Sequence, residues 1–176
     1  ETVYGLGGDA LSDEAVAAIY AAKQRPAHNP LIVHAANVEM AAGLAHYSAR
    51  AERLAETFWP GSLTLVLERN PEAGLSPRLS AGLDTVAVRV PDHVIASRLL
   101  TTLGRPVAAP SANVSGTLSP TTAQQVAESL GGRVPLILDG GPCMVGVEST
   151  IVRIDGDDVH LLRPGGIPRE AIEDAL

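Results

Sequence analysis

The stretch VESTIVRIDGDDVHLLR, residues 147–163, decides how this chain folds. Two runs rich in apolar and β-branched residues, Val147 to Ile154 and Val159 to Arg163, flank Asp155-Gly156, a dipeptide suited to a tight turn. They predict an antiparallel hairpin. Upstream, helical patterns alternate with short apolar runs, the pattern of an α/β protein. Ser12 before Asp13 and Glu14 predicts a helix with Val16, Ile19 and Tyr20 on one face, ending before Pro26. Strands are expected over Leu31 to His34, Leu63 to Leu67, Thr85 to Val90, Pro106 to Ala109 and Leu136 to Asp139. Helices are expected over His46 to Phe58 and between Asp92 and Leu103. Another is capped by Ser119 with Pro120 at its first position and ended by Gly131-Gly132, and a last one starts near Pro168. A hairpin inside such an alternation argues against an all-parallel sheet. The expected fold is therefore an open, twisted, mixed parallel and antiparallel sheet flanked by helices.

A chain of 176 residues reads as one domain. At this length roughly 70% of the unfolded surface can be buried, so no disulfide or metal staple is needed. Cys143 is the single cysteine, which excludes an intramolecular disulfide and fits a reducing, cytoplasmic compartment. No apolar run approaches the ~18 residues that span a bilayer, so no membrane role is expected. A net charge of −7 and only five aromatic residues argue against a surface that binds nucleic acid by charge and stacking. Any anion site must be a local concave cluster.

Lys23 is the one lysine in a chain that uses arginine twelve times, and it sits in Lys23-Gln24-Arg25-Pro26. Lysine is a point charge, whereas arginine grips oxyanions in a fork. The pair suits a phosphate or carboxylate, although a basic pair ending a helix also complements the helix dipole in solvent. Further polar groups stand at strand ends or helix starts: Thr2, Asn29, His34, Thr85 with Arg89, Ser111 with Asn113, Ser119, Ser149 and Arg163. Each has a plainer alternative. Thr85 and Arg89, four apart, share one strand face that could simply be solvated. Ser111 and Asn113 could be turn formers, Ser119 only a cap, and His34 a satisfied core histidine. Gly5-Leu6-Gly7-Gly8 lacks the lysine and hydroxyl of a phosphate loop, so a turn is expected there. The five histidines never fall at ligand spacing with Cys143 or one another, so no protein-held metal is expected. No Gly-x-Ser-x-Gly elbow is present.

Several segments together resemble the YrdC-like threonylcarbamoyl-AMP synthases. They are Glu1 to Gly7, Lys23-x-Arg25-Pro26, Asn29-Pro30-Leu31, Pro60 to Thr64, Val88 to Pro91, Pro110-Ser111-Ala112-Asn113, Glu148-Ser149-Thr150 and Leu162-Arg163-Pro164-Gly165. The resemblance runs in order from residue 1 to about residue 167 and implies a YrdC-like fold with a deep, positively charged cavity. It implies an enzyme that joins L-threonine, bicarbonate and ATP into threonylcarbamoyl-adenylate with release of pyrophosphate. A downstream complex would then transfer the threonylcarbamoyl group to tRNA. Magnesium would come with the nucleotide. Carried over residue by residue, Thr2, His34, Arg89, the backbone at Ala109 and Ser149 correspond to the threonine pocket. Arg25, Asn29, Thr85, Ser111, Ser119 and Arg163 correspond to the ATP set. Lys23 and Asn113 complete the Lys-x-Arg and Ser-x-Asn signature, which with Arg25 and Ser111 is the expected catalytic group. Family members carry Pro-Thr and an upstream helix and strand before Glu1, and long members carry a further C-terminal domain. Residues 1–176 are thus expected to be one YrdC-like domain lacking its N-terminal start.

Charge chemistry agrees with that division. Two cations about 5 Å apart repel by roughly 3 kcal/mol at an effective dielectric near 20, so converging arginines need anions between them. Two other functions remain open to the sequence. One is the YrdC-like domain of a carbamoyltransferase of the hydrogenase-maturation type. The other is a double-stranded RNA-binding module, against which the acidity and scarce aromatics count.

Overall fold

Ser12 accepts a hydrogen bond from the Ala15 N–H at 3.2 Å and opens helix α1, Asp13–Lys23, which Gln24 ends in a left-handed conformation. The computed structural model describes residues 1–176, and α1 is one of six helices around a single seven-stranded sheet. The others are α2 (Val38–Ala42), α3 (Ala49–Phe58), α4 (Val94–Leu103), α5 (Ala123–Leu130) and α6 (Arg169–Ala175). The strands are β1 (Gly8–Asp9), β2 (Ile32–His34), β3 (Leu63–Glu68), β4 (Thr85–Arg89), β5 (Val107–Ala108), β6 (Thr150–Asp155) and β7 (Asp158–Arg163). They lie in the order β1-β5-β2-β4-β3-β6-β7. The pairs β2/β4 and β3/β6 are parallel and the other four are antiparallel, so the sheet is mixed as the hairpin predicts. Val33, Leu63, Leu65, Val88 and Val152 bury one face completely against Val16, Leu54 and Ala51 of the helices. A small second core of Ala112, Val126 and Leu130 lies under α5.

Five local expectations are corrected. Leu136 to Asp139 is not a strand, and its Leu136 and Leu138 are 71% and 46% exposed. Asp139 there accepts from the Tyr4 hydroxyl at 3.1 Å and from the Gly141 N–H at 2.9 Å, which fixes a turn instead of a ladder. Ser119 does not cap α5. Thr122 does, accepting from the Gln125 N–H at 3.3 Å, while the Ser119 hydroxyl donates to Glu148 at 2.5 Å. The helix expected from His46 begins only at Ala49 behind the Ser48 cap, because the His46 N–H is taken by the Glu68 carbonyl at 2.9 Å. Gly5 to Gly8 is extended: Gly5 bridges Ser111 and Gly8 pairs with Ala108. Of the hairpin, the first strand begins at Thr150, since the Glu148 carbonyl accepts from the Gly166 N–H at 3.0 Å and the Ser149 carbonyl from the Arg163 side chain. No helix is long and apolar enough to cross a membrane.

Candidate active site

Parallel strands β2 and β4 end side by side, with His34 in register with Arg89. Carboxyl ends of parallel strands are where open α/β sheets leave room for ligands. Here they open into a cavity of about 680 Å³. Its walls come from Glu1 to Asp9, the Val107 to Ala112 segment, α4, the Val134 to Cys143 strap, and Glu148, Ser149 and Arg163.

Arg89 is buried, and three contacts fix its guanidinium. Nε donates to the Gly61 carbonyl at 2.9 Å, Nη1 to the Thr2 hydroxyl at 2.9 Å, and Nη2 pairs with the Glu1 carboxylate. Burial lowers the Arg89 pKa and Glu1 opposes that shift, which keeps the cation charged. Beside it the half-buried His34 has a solvent-shielded Nδ1 with no hydrogen-bond partner. Burial, then the Arg89 charge, push the His34 pKa down to about 3, so its imidazole is neutral.

Arg163, last in β7, donates from Nε and Nη2 to the Ser149 carbonyl at 3.1 and 2.9 Å, and from Nη2 to the Ser149 hydroxyl at 3.1 Å. That hydroxyl lies 2.7 Å from the Thr64 hydroxyl. Burial is the main cause lowering the Arg163 pKa, and Arg89 and Arg25 lower it further while Glu148 raises it. All three arginines line the same cavity. Arg25 completes the set, held by the Asn29 carbonyl at 3.2 Å and the Pro30 carbonyl at 2.9 Å. A fourth arginine in the wall, Arg105, is paired with Asp9 at 3.0 Å. Other parts of the lining are apolar: Ile95, Leu99 and Leu103 from α4, and Leu136 and Leu138 from the strap. Such a space suits a molecule with several anionic groups and one apolar part.

Of the residues singled out in the sequence, Thr2, Arg25, His34, Arg89, Ala109, Ser111, Ser149 and Arg163 line this cavity. Lys23, Asn29, Thr85, Asn113 and Ser119 do not. Thr85 pairs with Glu68 at the far end of β4 from Arg89, although both sit on one strand face. Asn29 offers its carbonyl to Arg25 and to Tyr20, the latter at 2.8 Å. Ser119 stands one step behind the wall, on Glu148. Lys23 and Asn113 are buried beneath Ser111, and the Lys23 pKa is lowered to about 8 by burial first and by Arg25 second. Two carboxylates, Glu1 and Glu148, were not singled out from the sequence. Both lie in quoted motifs, and a buried arginine's need for an anion was the signal that could have marked Glu1. No group of three or more histidine, cysteine, aspartate or glutamate side chains gathers to hold a metal ion. Burial keeps the Cys143 thiol protonated by raising its pKa.

A family model named Sua5_yciO_yrdC, described as telomere recombination, matches residues 1–165. A threonylcarbamoyl-AMP synthase of Bacillus subtilis is 53% identical over 174 residues, 98% of this chain and 50% of that protein. One of Pyrococcus abyssi is 52% identical over 178 residues, 100% of this chain and 52% of that protein. The crystal structure of P. abyssi Sua5 complexed with L-threonine superposes with a TM-score of 0.96 at 50% identity, covering 100% of this chain and 52% of that one. The chain spans about half the length of these relatives.

Proposed function

The chain belongs to the Sua5/YciO/YrdC family, and on that premise we propose that it makes threonylcarbamoyl-AMP. In this reading L-threonine, bicarbonate and ATP give threonylcarbamoyl-adenylate, pyrophosphate and water. The observation that carries it is the convergence of Arg25, Arg89 and Arg163 on one cavity. Arg89, with Thr2, His34, Ser149 and the Ala109 backbone around it, would hold the amino-acid carboxylate. Arg25, Ser111 and Arg163 would hold the triphosphate, with Asn29 behind Arg25 and Ser119 behind Glu148. Thr85, at the far end of β4, takes no part in this reading. The neutral His34 can accept or donate one hydrogen bond to the substrate without adding charge. Threonine and bicarbonate condense to a carbamate, with loss of water. Its oxygen attacks the α-phosphorus, and pyrophosphate leaves with the electrons of the broken P–O bond. Two anions meet in this step, so the protein's part is positioning and neutralisation, with no covalent protein intermediate.

Magnesium enters on the phosphates, which suits a site without a carboxylate cage. The product passes to a tRNA-modifying complex, and the work takes place in the cytoplasm. The test is pyrophosphate release in the full-length protein, expected only when threonine, bicarbonate and ATP are all present. Release that needs carbamoyl phosphate and ignores threonine would assign the domain to carbamoyl transfer. A salt-sensitive shift of double-stranded RNA with no pyrophosphate release would assign it to RNA binding.

A further inference from the structure

Lys23 closes the buried face of α1 that Val16 and Ile19 begin, and it is 1% exposed. A buried ammonium is costly unless each of its three N–H groups finds an acceptor. Three acceptors surround it: the Ser111 carbonyl, the Asn113 carbonyl at 2.6 Å and the Asn113 Oδ1 at 3.4 Å. None is a carboxylate, and all belong to one turn. The turn answers in kind, because the Ser115 N–H donates to the Lys23 carbonyl at 2.9 Å. On its other side the Ala112 N–H donates to the Tyr4 carbonyl at 2.7 Å, and Gly5 bridges Ser111. Ser111 faces the cavity from that turn, while Nζ points away from the cavity into the turn's back.

We propose that Lys23 is a positioning residue: its ammonium touches no substrate and acts by pinning the Ser111–Asn113 turn, and with it the Ser111 hydroxyl, to the end of α1. This rests on the reading that Ser111 belongs to the nucleotide site. Arginine is a poor substitute, because its planar fork spreads donors that here must meet acceptors converging on one point. The role differs from plain stabilisation in being one-sided. Arg89 is carried by β4 and held by Gly61 from outside the turn, so loosening the turn reaches it only indirectly, through Tyr4 and Gly5 of the opening segment.

The test is a cycle of Lys23→Met, Ser111→Ala and the double variant, titrated calorimetrically with ATP and separately with L-threonine. Lys23→Met is expected to weaken ATP on the order of tenfold, the value of one well-placed hydrogen bond to a charged group. Threonine affinity should stay within about twofold, and in the Ser111→Ala background Lys23→Met should add nothing. Unchanged ATP affinity, equal loss of both ligands, or the same ATP loss in both backgrounds would each overturn the proposal.

A second measurement needs no variant. Lys23 is the only lysine, so amine acetylation read by peptide mass spectrometry reports on it alone apart from the terminal amine. It should stay unmodified in the folded protein with or without ATP and react on denaturation. Rapid modification that ATP prevents would mean Nζ faces the ligand, and the positioning role falls. This result is independent of the functional reading, which fails separately if the wild-type protein binds neither ATP nor threonine.

Discussion

Arg89 donates from Nη1 to the Thr2 hydroxyl at 2.9 Å, joining the last residue of β4 to the opening residues of the chain. With Gly61 and Glu1 on its other nitrogens, the guanidinium has one orientation and keeps two N–H groups for a ligand. Arg89→Ala should therefore weaken L-threonine far more than ATP, and Arg163→Ala should do the reverse. A charge-assisted contact is worth roughly 1.5–3 kcal/mol, or about ten- to a hundredfold in affinity. Calorimetry of both ligands on both variants decides this, and equal losses would mean the pocket is undivided.

Glu1 carries the same site in a different way. Glu1→Ala leaves the Arg89 cation buried with one fewer acceptor, and also frees the Asp92 N–H that Glu1 accepts at 3.0 Å. The expected cost is about 2 kcal/mol of stability, read as a lower urea midpoint at unchanged slope. Glu1→Gln keeps an acceptor and should lose less. A midpoint unchanged in Glu1→Ala would show that Arg89 needs no internal counter-ion.

The Lys23 ammonium gives a pH signature. In the folded protein its pKa is lowered to about 8, from 10.5 in the open chain, by burial and by Arg25. Between those values the unfolded state binds more protons than the folded one, so stability contributed by this group rises with pH. Tyr4, Tyr20 and Cys143 have raised pKa values and act in the opposite sense nearer pH 9 to 10. The comparison of wild type with Lys23→Met across pH 7.5 to 9 therefore isolates it. Urea unfolding should show the gain only in wild type, and parallel curves would refute the shift.

Gly165 allows a close approach that no other residue could make. A Cβ there would lie 2.5 Å from the Thr150 nitrogen and collide with the Glu148 carbonyl. Gly165→Ala should lower stability by about 1–3 kcal/mol through overpacking. It should also weaken ATP, because the backbone it displaces holds Ser149, the anchor of Arg163. A thermal melt and an ATP titration on one sample test both parts, and a normal melt would refute the clash.

The mixed sheet was legible because its deciding segment is self-contained: alternation on both sides of Asp155-Gly156 leaves β6 and β7 few other options. The Leu136 to Asp139 run has the same composition as a strand, but its leucines serve the cavity wall, and only the distant α4 makes that apolar side chain useful there. Ser119-Pro120-Thr121-Thr122 offers several hydroxyls to a helix start. Glu148, far away in sequence, claims Ser119 and leaves the cap to Thr122. Arg89 and Arg163 could be marked from strand ends, since strand period fixes the face. The direction of Lys23 could not, because two of its three acceptors are backbone carbonyls, which no sequence pattern displays.

The strand order has a consequence for how the protein is born. β3 lies between β4, its neighbour in the chain, and β6, which is made only after α5. A ribosome that has released the chain through Leu130 has exposed Thr2, Arg25, His34 and Arg89, but neither Ser149 nor Arg163. Until β6 and β7 emerge, one edge of β3 is an open row of backbone donors and acceptors, the kind of edge that recruits wrong partners. Translation through the final hairpin is thus the step that both covers that edge and closes the cavity wall at Ser149 and Arg163, so the nascent protein loses its open edge and gains its third arginine together.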